Sequence, residues 1–418
     1  MTTMDMLRPY EAQMIADRRY LHQHPERSGQ EFKTSEFVAS ALEELGLTVH
    51  VVPSGGVIGV LGDPAQAPCV LLRADVDALP IDESAENLAS AKVCVSANPG
   101  VMHACGHDAH TAMLLGAARA LAANKEAVPG CVLFVFERGE EIGGKGFLEN
   151  LLPYIDQNFH VGACYATHVR WDIPAGKIAV PQDVAMGGAF GFDVTIQGQG
   201  GHGSRPDLAN SPIDCFCAIH QQLNSLRMRV VEPDKVLTYS LGLVQGGEQS
   251  NIIPGSLRFA GTVRTYDTAV SAERFAAETR RIIDHTCAAH GCTPVYTHFS
   301  RPLYETRNNT AAALRTRQVI ADQVGAQTVV ACKPWMASES MSAYLRLWPG
   351  VLTFTGIQNE ALGTGANHHT PQFDVDDAAL LPGAAAACAF ALDYLANRPD
   401  FGFTRDIVSM EDLVSRSI

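Results

Sequence analysis

At 418 residues the chain exceeds a single typical core, so two domains are expected. Hydrophobic residues make up 46% and charged residues 18%, the balance of a soluble globular protein. A formal net charge of −14 argues against a nucleic-acid-binding role, which would call for a basic patch.

No continuous apolar run approaches the roughly 20 residues of a membrane span. The alanine-rich stretch Ala378 to Ala396 comes closest, but Asp377, Pro382 and Asp393 mark it as a buried globular helix. The first ten residues are poor in apolar side chains and carry Asp5 and Arg8, unlike a secretory leader. With 11 scattered cysteines this points to a reducing, cytoplasmic setting. Cys69, Cys131, Cys164 and Cys388 lie in apolar runs and are expected as small buried hydrophobes.

In chain order, residues 5–24 and 34–45 are expected as helices, the second stopped by Gly46. Cys69-Val-Leu-Leu-Arg-Ala-Asp-Val-Asp reads as an apolar strand ending in acids. Asp108 is expected to cap a helix running to about Ala123. Cys131-Val-Leu-Phe-Val-Phe reads as a strand buried on both faces, leading into Glu140-Glu141. Strands alternating with helices predict an α/β sheet, whose ligands bind beyond the carboxyl ends of the strands. Between about 184 and 299 the pattern becomes strand, helix, strand, strand, helix, strand, the split βαβ plan of a small open-faced domain. It predicts a second domain at 184–299, inserted between residues 1–183 and 300–418, with an edge free to pair with a second copy.

His103-Ala-Cys-Gly-His-Asp-Ala-His packs one thiol and three imidazoles into eight residues. Cys105 and His107 can reach one point in space, and both donor types suit zinc and similar borderline metals. Glu140-Glu141, His168 and His368-His369 supply further donors from distant segments, as a catalytic metal centre requires. Of two adjacent glutamates, one can bind a cation while the other carries a proton. His202 lies in a Gly-rich loop, and Asp75 and Asp77 end a strand, where each either caps it or orients a ligand from behind. Arg264 ends an apolar strand, where a guanidinium can grip a carboxylate with two prongs.

These stretches, with Arg73-Ala-Asp-Val-Asp-Ala-Leu-Pro, Asn251-Ile-Ile-Pro, Gly261-Thr-Val-Arg264 and His368-His-Thr-Pro-Gln-Phe-Asp-Val-Asp, span nearly the whole chain. In this order they resemble the M20 metallopeptidases, and in particular the amidohydrolase branch with its aminoacylases, hippurate hydrolases, indole-acetyl-amino-acid hydrolases and aminobenzoyl-glutamate hydrolases. The resemblance implies a mixed-sheet α/β metallohydrolase domain with an inserted ferredoxin-like α+β lid that dimerises the chain. It implies two divalent ions, zinc or manganese first and cobalt or nickel next, held by Cys105, His107, Glu141, His168 and His369, with His368 as the alternative to His369. It gives Glu140 the part of general base and His202 that of oxyanion partner. Asn251 and Arg264 are placed near the substrate, and Asp75 behind the ligands.

Three stretches depart from the pattern. The usual Gln-Pro-Ala is Glu137-Arg138-Gly139, the usual Gly-His-Ala-Ala is Gly201-His202-Gly-Ser204, and a common Ser-Glu-Asp is Ser338-Glu339-Ser340. The expected reaction is hydrolysis of the amide of an N-acyl or N-aroyl amino acid. Hydrolytic deamination of an activated aromatic amine on the same centre is the second expectation, and a non-catalytic binding protein of the same fold is the third.

Overall fold

The apolar runs become strands because β-branched and aromatic side chains can be covered from both sides. In the computed structural model, which describes residues 1–65, 68–143 and 146–416, the strands Cys69–Asp75 and Val132–Glu137 are buried at every position. They lie parallel and in register, with Asp75 opposite Glu137. The full sheet runs Thr48–Val52, Gly56–Leu61, Val132–Glu137, Cys69–Asp75, Val161–Pro174, Gly350–Gln358, Ile178–Ala179, Val329–Val330. Its centre is parallel, and Thr48–Val52 and Gly56–Leu61 make it mixed by pairing antiparallel at one side. Asp75, Glu137 and the loop carrying Glu140 and Glu141 therefore share one edge, the carboxyl ends of parallel strands.

The helix His107–Ala123 packs against Glu11–Gln23 and Leu380–Asn397, and its alanines and leucines join the main core. The segment Asp377–Asn397 is long and apolar enough to cross a membrane, but 78% of its apolar window is buried inside the protein, as the core helix expected of this stretch. The expected helix over 5–24 is interrupted: Pro9 falls in a 3-10 turn, Arg8–Tyr10, between Thr3–Leu7 and Glu11–Gln23.

Asp108 does not cap its helix. Gly106 holds the cap position, and Asp108 turns inward to the buried Arg18. Arg18 Nε donates to Asp108 Oδ2 at 2.9 Å, and its Nη atoms reach Asp377 at 3.2 Å and Asp374 at 3.5 Å. Replacing Arg18 with Met takes the guanidinium from the fully buried Asp108, which keeps His22 Nδ1 at 2.9 Å, so a loss of about 3 kcal/mol is expected in denaturant unfolding. A loss under about 1 kcal/mol would mean that water reaches this network in the folded state.

The chain divides into two compact units. The first comprises Met1–Ala185, Arg307–Pro334 and Ser340–Ile418, and the second Met186–Thr306 with Trp335–Glu339. The second unit is a four-stranded antiparallel sheet in the order Leu237–Gln245, Ser256–Thr265, Gly188–Gln197, Thr293–Phe299. Along Gly188–Gln197, residues Phe190, Phe192, Val194 and Ile196 are buried and alternate with half-buried ones. They form a core with Ile219 and Leu223 of helix Pro212–Val230 and Phe275 and Ile283 of helix Glu273–Ala289. This is the ferredoxin-like plan, with one sheet face uncovered by helices.

Candidate metal centre

A left-handed turn builds the site. Gly106 has φ +91°, and a Cβ there would come within 2.3 Å of Val169 Cγ2. Only glycine fits both demands. The turn lets Cys105 and His107 face one point just beyond the strand ends.

Hydrogen bonds then fix which nitrogen each imidazole presents. His107 Nδ1 lies 2.9 Å from Asp77 Oδ1, leaving Nε2 buried with no hydrogen-bond partner among the described residues. His168 Nδ1 donates to the Val169 carbonyl at 2.7 Å, so Nε2 faces Cys105 Sγ at 3.5 Å. His369 adopts the left-handed conformation, φ +60°, and its Nε2 lies 3.4 Å from Cys105 Sγ and 3.3 Å from Glu141 Oε1. His368 is buried behind the cluster, its ring 5.3 Å from that of His168 and 4.8 Å from that of Phe373. Four donor groups result among the described residues: Cys105, His107 and His168; Asp75, His107 and His110; Cys105, Glu141 and His369; and His107, Glu140 and Glu141, each with its ligand atoms within 4.8 Å of one another. Cys105 belongs to two of them.

The loop bearing the glutamates is pinned from several sides. Glu141 N–H donates to Asp77 Oδ2 at 2.9 Å, and Gly139 N–H donates to Glu31 Oε1 at 2.9 Å. Arg138 binds Glu31 at 3.0 Å and lies between the rings of Phe32 and Phe147. Ser340 N–H donates to Glu140 Oε1 at 3.1 Å.

Asp77, not Asp75, is the acid that orients the His107 ring. Asp75 instead binds Arg73 at 2.8 Å and His110 Nδ1, with Oδ2 3.8 Å from His107 Nε2. Glu31, Glu137 and Arg73 carry no role in the sequence reading. Arg73 offers a signal all the same, because a charge inside an apolar strand must find buried partners.

The electrostatics favour a cation. Burial opposes charge on His107, but Asp75, Cys105 and Asp77 outweigh it and hold the imidazole well above its usual pKa. Burial and the Glu141 carboxylate push the Cys105 thiol well up. Burial, with His110 and His368 nearby, holds His168 neutral, its lone pair available. The orphaned His107 Nε2 sits among a thiol, two imidazoles and two carboxylates. Buried polar atoms without partners are costly, and a divalent ion would satisfy this set at once. The residues present therefore fit a metal centre.

His202, Asn251 and Arg264 belong to the second unit. His202 lies in the short strand Gly201–His202, paired with Ile252–Ile253, so the Gly-rich loop is tied down by its backbone. Its Nδ1 accepts from Ser204 N–H at 3.1 Å and lies 2.8 Å from Ser204 Oγ, which leaves the proton on Nε2. Asn251 adjoins it through its carbonyl, which accepts from Gly203 N–H at 2.8 Å. Arg264 binds Thr262 Oγ1 and the Val263 carbonyl, with no ion-pair partner among the described residues.

Residues 71–393 match the model of peptidase family M20/M25/M40. The chain is 33% identical over 386 residues to IAA-amino acid hydrolase ILR1-like 5 of Arabidopsis thaliana, covering 91% of this chain and 86% of the relative. It is 32% identical over 392 residues to thermostable carboxypeptidase 1 of Saccharolobus solfataricus, covering 93% and 97%. Among solved structures it superposes on the Bacillus subtilis YXEP protein, a dinuclear metal-binding peptidase of the M20 family, with TM-score 0.77 and 28% identity over 93% of this chain and 99% of that one. With the donor cluster and the two-unit fold, these matches show that the chain belongs to peptidase family M20/M25/M40, among its metal-dependent hydrolases of amide and peptide bonds.

Proposed function

We propose that the chain hydrolyses the amide C–N bond of an N-acyl or N-aroyl amino acid at a centre for two divalent ions, zinc or manganese first and cobalt or nickel next. The observation that carries this reading is the sharing of Cys105 between two donor groups, one completed by His107 and His168 and the other by Glu141 and His369. Ions held there would acidify a water and polarise the scissile carbonyl.

The chain's own groups do the rest. Glu140, its carboxylate aimed by the Ser340 N–H, takes the proton of the attacking water and passes it to the leaving nitrogen. His202 offers its Nε2–H to the developing oxyanion. Asn251 lines the substrate. Arg264 grips the carboxylate of the amino-acid half. Its half-buried guanidinium, held below its usual pKa by burial, is a charge awaiting an anion. The second unit's open edge strands suit pairing with another copy of the chain, giving a homodimer or higher homo-oligomer. The free cysteines suit a cytoplasmic setting.

The test is a panel of N-acyl amino acids, N-aroyl amino acids and aryl amines, run with each divalent metal and read for free amino acid and free ammonia. Release of amino acid supports the reading. Ammonia from an aryl amine would replace it with aromatic deamination. Freshly purified protein without metal, and not activated by any of the ions, would leave a binding protein. Arg264→Ala is expected to raise KM for a carboxylate-bearing substrate about 10- to 100-fold, the worth of a hydrogen bond to a charged group. The matching carboxamide should be nearly indifferent to it.

A further inference from the structure

Two of the positions where the chain departs from the family pattern, Glu137 and Ser340, touch each other. Ser340 Oγ donates to Glu137 Oε1 at 2.7 Å. Arg73 closes the ring: Nε donates to Glu137 Oε2 at 2.9 Å, Nη2 to Ser340 Oγ at 2.6 Å and Nη1 to Asp75 Oδ2 at 2.8 Å. Arg73, Glu137 and Ser340 are all buried, at 5%, 0% and 6% exposure, so these bonds are not shared with bulk water. The same Ser340 uses its backbone N–H to hold Glu140 Oε1 at 3.1 Å. The side chain of Ser340 is thus anchored in a buried ion pair while its backbone aims the neighbouring carboxylate.

We propose that Arg73, Glu137 and Ser340 form a buried positioning unit for Glu140, and that the carboxylate facing Arg73 can stand at position 137 or position 340 but not at both. Asp75 already supplies one negative charge to Arg73, and Glu137 supplies a second. A third carboxylate at position 340 would be buried against the one guanidinium that already faces these two, a costly arrangement. An amide at position 137 with nothing in exchange would leave Arg73 short of one partner. The two positions are therefore coupled through one guanidinium, and substitutions at them are expected to be non-additive. The functional half of the proposal rests on Glu140 as general base. The coupling half does not.

The experiment compares E137Q, S340D, the double variant E137Q/S340D, S340A, S340T and E140Q. The substrates are indole-3-acetyl-L-alanine and N-benzoylglycine. S340A and E137Q are expected to lower kcat about 10- to 100-fold, as small misplacements of catalytic groups do, with KM within about twofold. S340T, which keeps the hydroxyl, should restore most of the rate. S340D should lose the most of the variants at positions 137 and 340, and adding E137Q to it should recover both kcat and melting temperature toward wild type. Crystal structures of wild type and S340A give a readout independent of turnover: a single Glu140 rotamer bound to the residue 340 N–H in the first, and a displaced or divided carboxylate in the second.

Unchanged kcat in S340A and E137Q with one Glu140 rotamer throughout would overturn the positioning role. A double variant no better in kcat or melting temperature than its worse single would overturn the exchange. Full activity in E140Q would sink the general-base reading alone, because the melting temperatures and rotamers would still report on the coupling.

Discussion

Glu140→Gln is expected to lower kcat by about 10²–10⁴-fold, the usual share of a general base, while the purified protein keeps its full metal content. The expectation follows from the division of labour between two adjacent glutamates. Glu141 Oε1 lies 3.3 Å from His369 Nε2 and 3.8 Å from His107 Nε2, inside the donor cluster. Among the described residues Glu140 shares a donor group with His107 and Glu141, and its Oε1 accepts the Ser340 N–H, so its aim is set from outside the Cys105-centred groups. Glutamine matches glutamate in size but cannot take a proton from water. Steady-state kinetics and elemental analysis on one preparation decide the matter. Near-normal turnover would remove Glu140 from the proton path, and loss of metal together with rate would recast it as a ligand.

The legible part of this centre is the part written in short stretches. Cys105 and His107 stand one residue apart, and Glu140 and Glu141 follow an apolar run, so donor chemistry and position coincide in the text. Strand patterning was equally readable where one periodicity ruled, as in Phe190 to Ile196. What the sequence hid is what depends on the third dimension. Asp75 and Asp77 are alike on paper, and only the strand's direction of approach sends Asp77 to the His107 ring and Asp75 to Arg73. Asp108 has the composition of a helix cap, but a buried Arg18 outbids the helix for it. Glu31 lies 108 residues before the Gly139 amide it holds, a pairing no local pattern can announce. Glu137 and Ser340 each read as a departure from pattern, and their compensation shows only when Arg73 stands between them.

Replacing Cys105 with Ala is expected to cost more metal than replacing any other proposed ligand. The argument is one of connectivity. His107 and His168 complete one of the Cys105 groups, and Glu141 and His369 complete the other, with the sulfur common to both. Removing His369 leaves the Cys105, His107 and His168 group whole, so His369→Ala should retain about one ion per chain, three protein ligands being enough for a catalytic site. Removing Cys105 reduces each of these groups to two ligands and takes away the thiolate charge that offsets the ions. Metal affinity should then fall by more than about 100-fold, beyond what the loss of an outer hydrogen-bond partner costs. Cys105→Asp, which restores an anion of harder character at the shared position, should recover part of that loss and shift preference from zinc toward manganese. Titration of the metal-free protein, followed by calorimetry or competition with a chromophoric chelator, gives both stoichiometry and affinity. If Cys105→Ala still takes up two ions tightly, the sulfur is a bystander, and the centre must be rebuilt around the carboxylates of Glu140 and Glu141.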